Sequence, residues 1–155
     1  MIFSRQCQYA IQAMTSLVLA PGGASRAEEI AQAEDIPHPI LSKVLLDLVR
    51  KGLLESRRGP GGGFSLSRRP ELISLRDIVA AVDGLAPFYQ CVTGLPACSD
   101  ETPCPLHEMW KQMRGSLINS FDTTTLDAMA RTIAHKKKSR AREKRRLRGR
   151  SKSAP

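Results

Sequence analysis

Residues 57–84, RRGPGGGFSLSRRPELISLRDIVAAVDG, decide the fold. Gly59-Pro60-Gly61-Gly62-Gly63 separates two short strand candidates, Leu53 to Arg57 and Phe64 to Ser67. Glycines there permit positive φ and close approach to another backbone, so the segment reads as a β-hairpin with a glycine-rich tip. Arg57 and Arg58 make the approach to that tip basic. Beyond it, Leu75, Ile78, Val79 and Val82 recur at helical spacing, which predicts a short amphipathic helix over 74–82 that ends at Gly84.

The segment before the hairpin, Ser25 to Gly52, predicts two short helices joined by a turn at Glu34-Asp35. Ser25-Arg26-Ala27-Glu28 has the form of a capping box, with the Ser25 hydroxyl and the Glu28 carboxylate meeting reciprocal backbone donors. Pro37 and Pro39 suit the first turn of the second helix, where a missing N–H is not needed. Ile40, Leu41, Val44, Leu45, Leu48 and Val49 form its buried face, and Gly52 is a natural terminator. Ahead of the pair, Cys7, Ala10, Ile11, Met14, Leu17 and Val18 mark a helix over 4–19 that stops at Pro21-Gly22-Gly23.

Two helices followed by a basic hairpin is the arrangement of a winged helix-turn-helix. The fold class expected is mainly α with a small β-hairpin. Such a unit places the start of its second helix in the major groove of duplex DNA. The residues positioned to do so are His38, Ser42 and Lys43. Ser25 and Arg26, opening the preceding helix, are placed to meet a phosphate through backbone N–H groups and charge. Arg57, Arg58 and Gly59 form the wing, whose arginines suit a narrow minor groove. The glycine run does not end in Gly-Lys-Ser/Thr, so a nucleotide-phosphate loop is not indicated. No triad-like or paired-carboxylate constellation points to an enzyme.

The chain of 155 residues is long enough for one domain with a real core. It carries a net charge of +9. Eleven of the 24 basic residues and one of the 15 acidic residues lie in 135–155, so the body before them is nearly neutral. That tail has almost no apolar content and is expected to be disordered by itself. It would add non-specific affinity for nucleic acid at low salt, and a protein acting mainly through the tail is one alternative reading. No apolar run reaches the length of a membrane span, and Arg5 is followed by polar residues rather than a signal-peptide core. A cytoplasmic location is the expectation, and the four cysteines then read as ligands, redox thiols or core residues rather than disulfides.

Three of those cysteines fall in one loop, as Cys91-x6-Cys98-x5-Cys104-x2-His107. Thiolates with imidazole suit an iron–sulfur cluster or zinc. The tight Cys-x2-4-Cys pairs usual in structural zinc sites are absent, and wide spacing in a Gly/Pro loop suits a larger inorganic core. Zinc and redox thiols remain the alternatives. Cys7 lies on an apolar helix stripe and reads as a core residue. After the loop, Leu106, Trp110, Met113, Leu117 and Phe121 recur at near-heptad spacing, with Leu126, Met129 and Ile133 as a continuation.

Taken together, Gln8-Tyr9-Ala10, Ile36-Pro37, the run Leu45 to Gly52, RGPGGGFSLSR and ISLRDIVAAVDG resemble the Rrf2 family of bacterial winged-helix regulators, the family of IscR and NsrR. The resemblance covers about residues 1–130. It implies a homodimer on an imperfect palindrome, usually acting as a repressor and joined through the long helix after the cysteine loop. The apolar stripe from Leu106 to Phe121 independently suits a self-complementary seam. In IscR-like members three loop cysteines and a histidine hold a two-iron cluster, which Cys104-Pro105-Leu106-His107 matches, although the first interval is six residues rather than five. In NsrR-like members a four-iron cluster borrows an aspartate from the partner's first helix, where this chain has Gln8. A [2Fe-2S] cluster on Cys91, Cys98, Cys104 and His107 is therefore preferred to [4Fe-4S]. The organisation expected is a winged helix-turn-helix over 1–84, a cluster loop over 85–105, a dimerisation helix region over 106–134 and a disordered basic tail over 135–155. The function expected is DNA binding gated by a cluster that senses redox state, nitric oxide or iron–sulfur supply.

Overall fold

The computed structural model describes residues 2–95 and 98–151, with side chains up to residue 139. The first helix, α1 (Arg5–Leu19), is capped by Ser4, whose hydroxyl accepts from the Cys7 N–H. A short strand β1 (Ala24–Ser25), helices α2 (Ala27–Glu34) and α3 (His38–Arg50), and strands β2 (Leu54–Arg57) and β3 (Gly63–Leu66) follow. Gly52, at φ 73°, turns the chain out of α3 into the hairpin. Helix α4 (Leu75–Val82) opens with a reciprocal cap: Ser74 Oγ accepts from the Asp77 N–H, and the Asp77 carboxylate accepts from the Ser74 N–H. The chain ends with a single turn α5 (Ala86–Tyr89), then α6 (His107–Thr123) and α7 (Leu126–Ser151). The expected class holds: a helical protein with a winged-helix unit. None of the described helices is long and apolar enough to cross a membrane.

The sheet has three antiparallel strands, in the order β1-β3-β2, rather than a hairpin alone. Ser25 pairs with Phe64, which draws it into the sheet and corrects the expected capping box. The cap moves one residue on, and the Arg26 N–H donates to Glu29 Oε2 at 2.9 Å. Gly63 explains why the wing needs glycine there. Its φ is +148°, and a Cβ would sit 2.6 Å from the Ser25 carbonyl oxygen. Gly63→Ala is expected to cost about 1–3 kcal/mol of stability, read from urea midpoints, through strain and through separation of β1 from β3. A change below about 0.5 kcal/mol, the usual surface range, would contradict that account.

The main core joins α1, α2, α3, β2 and α4. Met14, Leu17, Ile30, Leu41, Leu45, Leu48, Ile73 and Ile78 are at most 1% exposed. Leu126 and Ala130 of α7 are also fully buried, and Leu126 belongs to this same core. A second cluster gathers Cys7, Val79, Phe88 and Phe121. Phe121 meets Phe88 edge-on at 5.4 Å and Phe3 at 5.5 Å between centroids. Cys7 is thus a core residue. Burial first, then the neighbouring Asp83 carboxylate, pushes its thiol up to about 12.

Four expectations are corrected here. Residues 85–105 are not all loop, because Phe88 buries itself and Leu85-Ala86-Pro87 start a helical turn. The region 106–134 is not one helix. It breaks at Thr124-Thr125, where the Leu126 N–H donates to the Ile73 carbonyl and the Leu75 N–H donates to the Thr124 carbonyl, each at 2.8 Å. Three successive threonines lower helix propensity, and the Thr125 hydroxyl accepts from the Ala128 N–H and restarts the helix. The near-heptad stripe is divided accordingly: Phe121 is buried within its own chain, while Leu106, Met109 and Met113 are 42–57% exposed. Finally, the basic tail continues α7 as helix to Ser151. Packing of Leu126 and Ala130 has already met the cost of helix nucleation, and residues 135–151 are mostly Lys and Arg with no proline. Lys137 Nζ pins the helix to the end of α2 by reaching both Glu34 oxygens at 2.7 Å.

Candidate functional site

The start of α2, the first turn of α3 and the wing converge on one open cleft of about 350 Å³. Arg26, His38, Ser42, Arg57 and Gly59 line it together. These five came from three separate stretches of sequence, and only the β1–β3 pairing and the α2–α3 turn bring them together. Arg57 also borders a second cleft of about 360 Å³ on the other side of the wing, beside Gly22 and Ala24. Lys43, Arg58 and Gly59 are exposed, whereas Ser25 is partly covered in the sheet. A cleft of this shape, basic on two sides and glycine-lined on the third, can admit a phosphodiester backbone.

Two details differ from expectation. The Arg26 N–H is taken by Glu29, so Arg26 presents its side chain rather than its amide to an anion. An acidic residue also stands on this face: Glu28 Oε1 lies 3.3 Å from His38 Nε2, and Ser42 Oγ lies 3.3 Å from the same nitrogen. Sequence reasoning passed over Glu28 because it was assigned to the cap. Its helix position, one turn from the start of α3 in space, became visible only with the fold.

The second group of candidates surrounds the loop between α5 and α6. Cys98 Sγ lies 3.3 Å from His107 Nδ1. Cys91 is paired instead with Thr93 Oγ1 at 3.1 Å. The Cys91 thiol is lowered to about 7, chiefly by the Thr93 hydroxyl and backbone and the Leu95 backbone, with Cys104 adding a smaller share. Of the four predicted donors, Cys98 and His107 stand as a pair, while Cys91 faces Thr93 and Cys104 lies in the same loop. No three of the described His, Cys, Asp or Glu side chains converge on one point as a single-ion site would require.

His107, the first residue of α6, is 6% exposed and donates its N–H to the Cys104 carbonyl at 2.9 Å. Its Nε2 lies 2.8 Å from Asp100 Oδ1, and Lys111 Nζ, one turn along α6, lies 2.7 Å from the same oxygen. Lys111 first, then His107, holds the Asp100 carboxyl below the usual range, and Asp100 holds the Lys111 ammonium above its own. Asp100 and Lys111 were not among the sequence candidates. Nothing in their spacing marks them apart from any other surface charges. Trp110 Nε1 donates to the Gln90 carbonyl at 2.9 Å and ties the same end of α6 to α5.

Three thiols and an imidazole are the donor types that an iron–sulfur cluster takes. Metal–thiolate and metal–imidazole bonds of about 2.3 and 2.0 Å at a tetrahedral centre span about 3.5 Å between ligand atoms. The Cys98–His107 separation of 3.3 Å is of that size. One pair of protein ligands per iron is what a two-iron cluster requires.

Comparison with known proteins places these features. A sequence profile of the Rrf2 family, described as iron-dependent transcriptional regulators, matches residues 3–132. A candidate HTH-type transcriptional regulator of Aquifex aeolicus is 34% identical over 128 residues, covering 81% of this chain and 89% of that protein. The HTH-type transcriptional regulator IscR of Aliivibrio salmonicida is 32% identical over 115 residues, covering 74% of this chain and 67% of that protein. Among solved structures, CymR, the global cysteine regulator of B. subtilis, superposes with a TM-score of 0.71 at 26% identity, covering 85% of this chain and 98% of that one.

Proposed function

Because the chain belongs to the Rrf2 family of transcriptional regulators, we propose that it binds an imperfectly palindromic DNA site as a homodimer, usually to repress, under control of an iron–sulfur cluster. His38, Ser42 and Lys43 would read base edges in the major groove. Arg26, Arg57 and Arg58 would hold phosphates or a narrow minor groove, and Ser25 and Gly59 would let the backbones approach. The cleft that unites Arg26, His38, Ser42, Arg57 and Gly59 supports this reading.

The homodimer reading is supported by an apolar groove of about 420 Å³ beside α6, lined by Ile2, Pro87, Phe88, Trp110, Met113 and Leu117. With Leu106, Met109 and Met113 exposed around it, a second copy of the same helix is its natural occupant. The cysteine loop leads from the winged unit into this helix. Closing or opening the loop would change how the two recognition helices are spaced, and half-sites lie at fixed separations on the duplex. A coupling of about 1–3 kcal/mol would change DNA affinity about 5- to 150-fold.

The observation that carries the cluster reading is the contact of Cys98 Sγ with His107 Nδ1 at 3.3 Å, in the loop that also holds Cys91 and Cys104. A bound cluster would supply a centre that reacts with oxidants and nitric oxide and reports iron–sulfur supply; [2Fe-2S] is preferred to [4Fe-4S]. A second reading is thiol oxidation without a cluster, favoured by the lowered Cys91 thiol. Anaerobic purification separates the two. The wild type is expected to be coloured, with equal iron and acid-labile sulfide, and Cys104→Ala is expected to lose both. A colourless protein after reconstitution would leave the thiol reading, and zinc analysis would follow.

A further inference from the structure

We propose that Asp100, backed by Lys111, is a positioning residue for His107, fixing which ring nitrogen faces the metal; the proposal rests on the cluster reading above. A carboxylate oxygen accepts hydrogen bonds. Asp100 Oδ1 lies 2.8 Å from His107 Nε2, so a ring proton belongs on Nε2. In the neutral ring the lone pair is then on Nδ1, the atom that lies 3.3 Å from Cys98 Sγ. The ring is 93% buried by its side-chain exposure of 7%, while the Asp100 side chain is 71% exposed. The bracket thus reaches from solvent to an otherwise enclosed imidazole.

Lys111 sits one helical turn beyond His107 and grips the same oxygen of Asp100. Both positions lie on α6, so the carboxylate is held in register with the helix that carries the ligand. Asp100 itself lies between Cys98 and Cys104, so the bracket also fastens the loop to that helix. As a surface ion pair, Asp100–Lys111 adds little to stability. Its consequence is orientation. A carboxylate on the far nitrogen of a ligating histidine sets its tautomer and raises its donor strength, and removing such a partner costs about 10- to 100-fold in metal affinity.

The test compares wild type, Asp100→Ala, Asp100→Asn, His107→Ala and Cys104→Ala after anaerobic reconstitution with iron and sulfide. The readouts are the electron paramagnetic resonance spectrum of the reduced protein and the rate of iron release to a chromogenic chelator. Asp100→Ala is expected to take up iron and sulfide in equal amounts, to release iron about 10- to 100-fold faster, and to show shifted g values. Asp100→Asn, which keeps an acceptor oxygen, is expected to recover most of the wild-type spectrum. Wild-type rate and spectrum in Asp100→Ala would overturn the positioning role and leave the cluster standing. So would a His107→Ala spectrum unchanged from wild type. Complete loss of the cluster in Asp100→Ala, as in Cys104→Ala, would make Asp100 a ligand and overturn the proposal in the other direction. A wild type that takes up neither iron nor sulfide would overturn the cluster reading and this proposal together.

Discussion

Leu126→Ala is expected to lower the unfolding free energy by about 2–5 kcal/mol, the range for a fully buried leucine. Leu126 is 0% exposed and packs into the core built by α1, α3 and α4. Its own N–H is held by the Ile73 carbonyl, so the backbone cannot slide to refill the space. Met113→Ala is the contrasting change. Met113 is 57% exposed on α6, and its removal is expected to move protomer stability by no more than about 0.5 kcal/mol. If α6 forms the dimer seam, Met113→Ala instead weakens association, seen as a concentration-dependent fall in sedimentation coefficient. Urea titration at several protein concentrations separates the two effects. A small loss at Leu126 with a large one at Met113 would mean that α7 is peripheral and the packing above is wrong.

The double variant Arg57→Ala/Arg58→Ala is expected to bind a cognate duplex about 10- to 100-fold more weakly at fixed salt, with a log–log salt slope shallower by about two. The duplex would be selected from random sequence by the wild-type protein. Stability should hardly change, because the Arg57 side chain is 80% exposed and its nearest acid, Glu55, is 3.8 Å away. Removing residues 140–155 makes the companion arm. It takes away basic residues of the α7 extension, and is expected to weaken cognate and scrambled duplexes alike, leaving their ratio intact. Loss of all binding on removing the tail, with no effect at Arg57 and Arg58, would transfer the DNA-binding role from the wing to the tail.

Local chemistry made much of this protein readable from its chain. Glycines between two short strands favour a turn, a proline pair suits the opening of a helix, and an apolar stripe every three or four residues marks a face to be covered. The winged unit, the exposed polar residues at the start of α3 and the four soft donors around one loop follow from such rules. The buried state of Cys7 follows from them too, since it lies on the α1 stripe.

What depended on distant segments was not readable. Ser25 left its capping role because Phe64, thirty-nine positions away, pairs with it. The α6 stripe looked continuous with 126–133 until the Ile73 and Leu75 backbone groups took hold of the Thr124–Leu126 turn. Phe121 and Met113 share one pattern in sequence, yet only Phe121 finds Phe88 and Phe3 beside it. Glu28 beside His38 in the cleft, and Asp100 with Lys111 behind His107, belong to the same class. A sequence determines periodicity, turn chemistry and donor type because these act over a few residues. Which partner a surface charge, a strand edge or an apolar stripe meets is decided by the closure of long loops, and only the folded chain selects among the choices that local chemistry leaves equal.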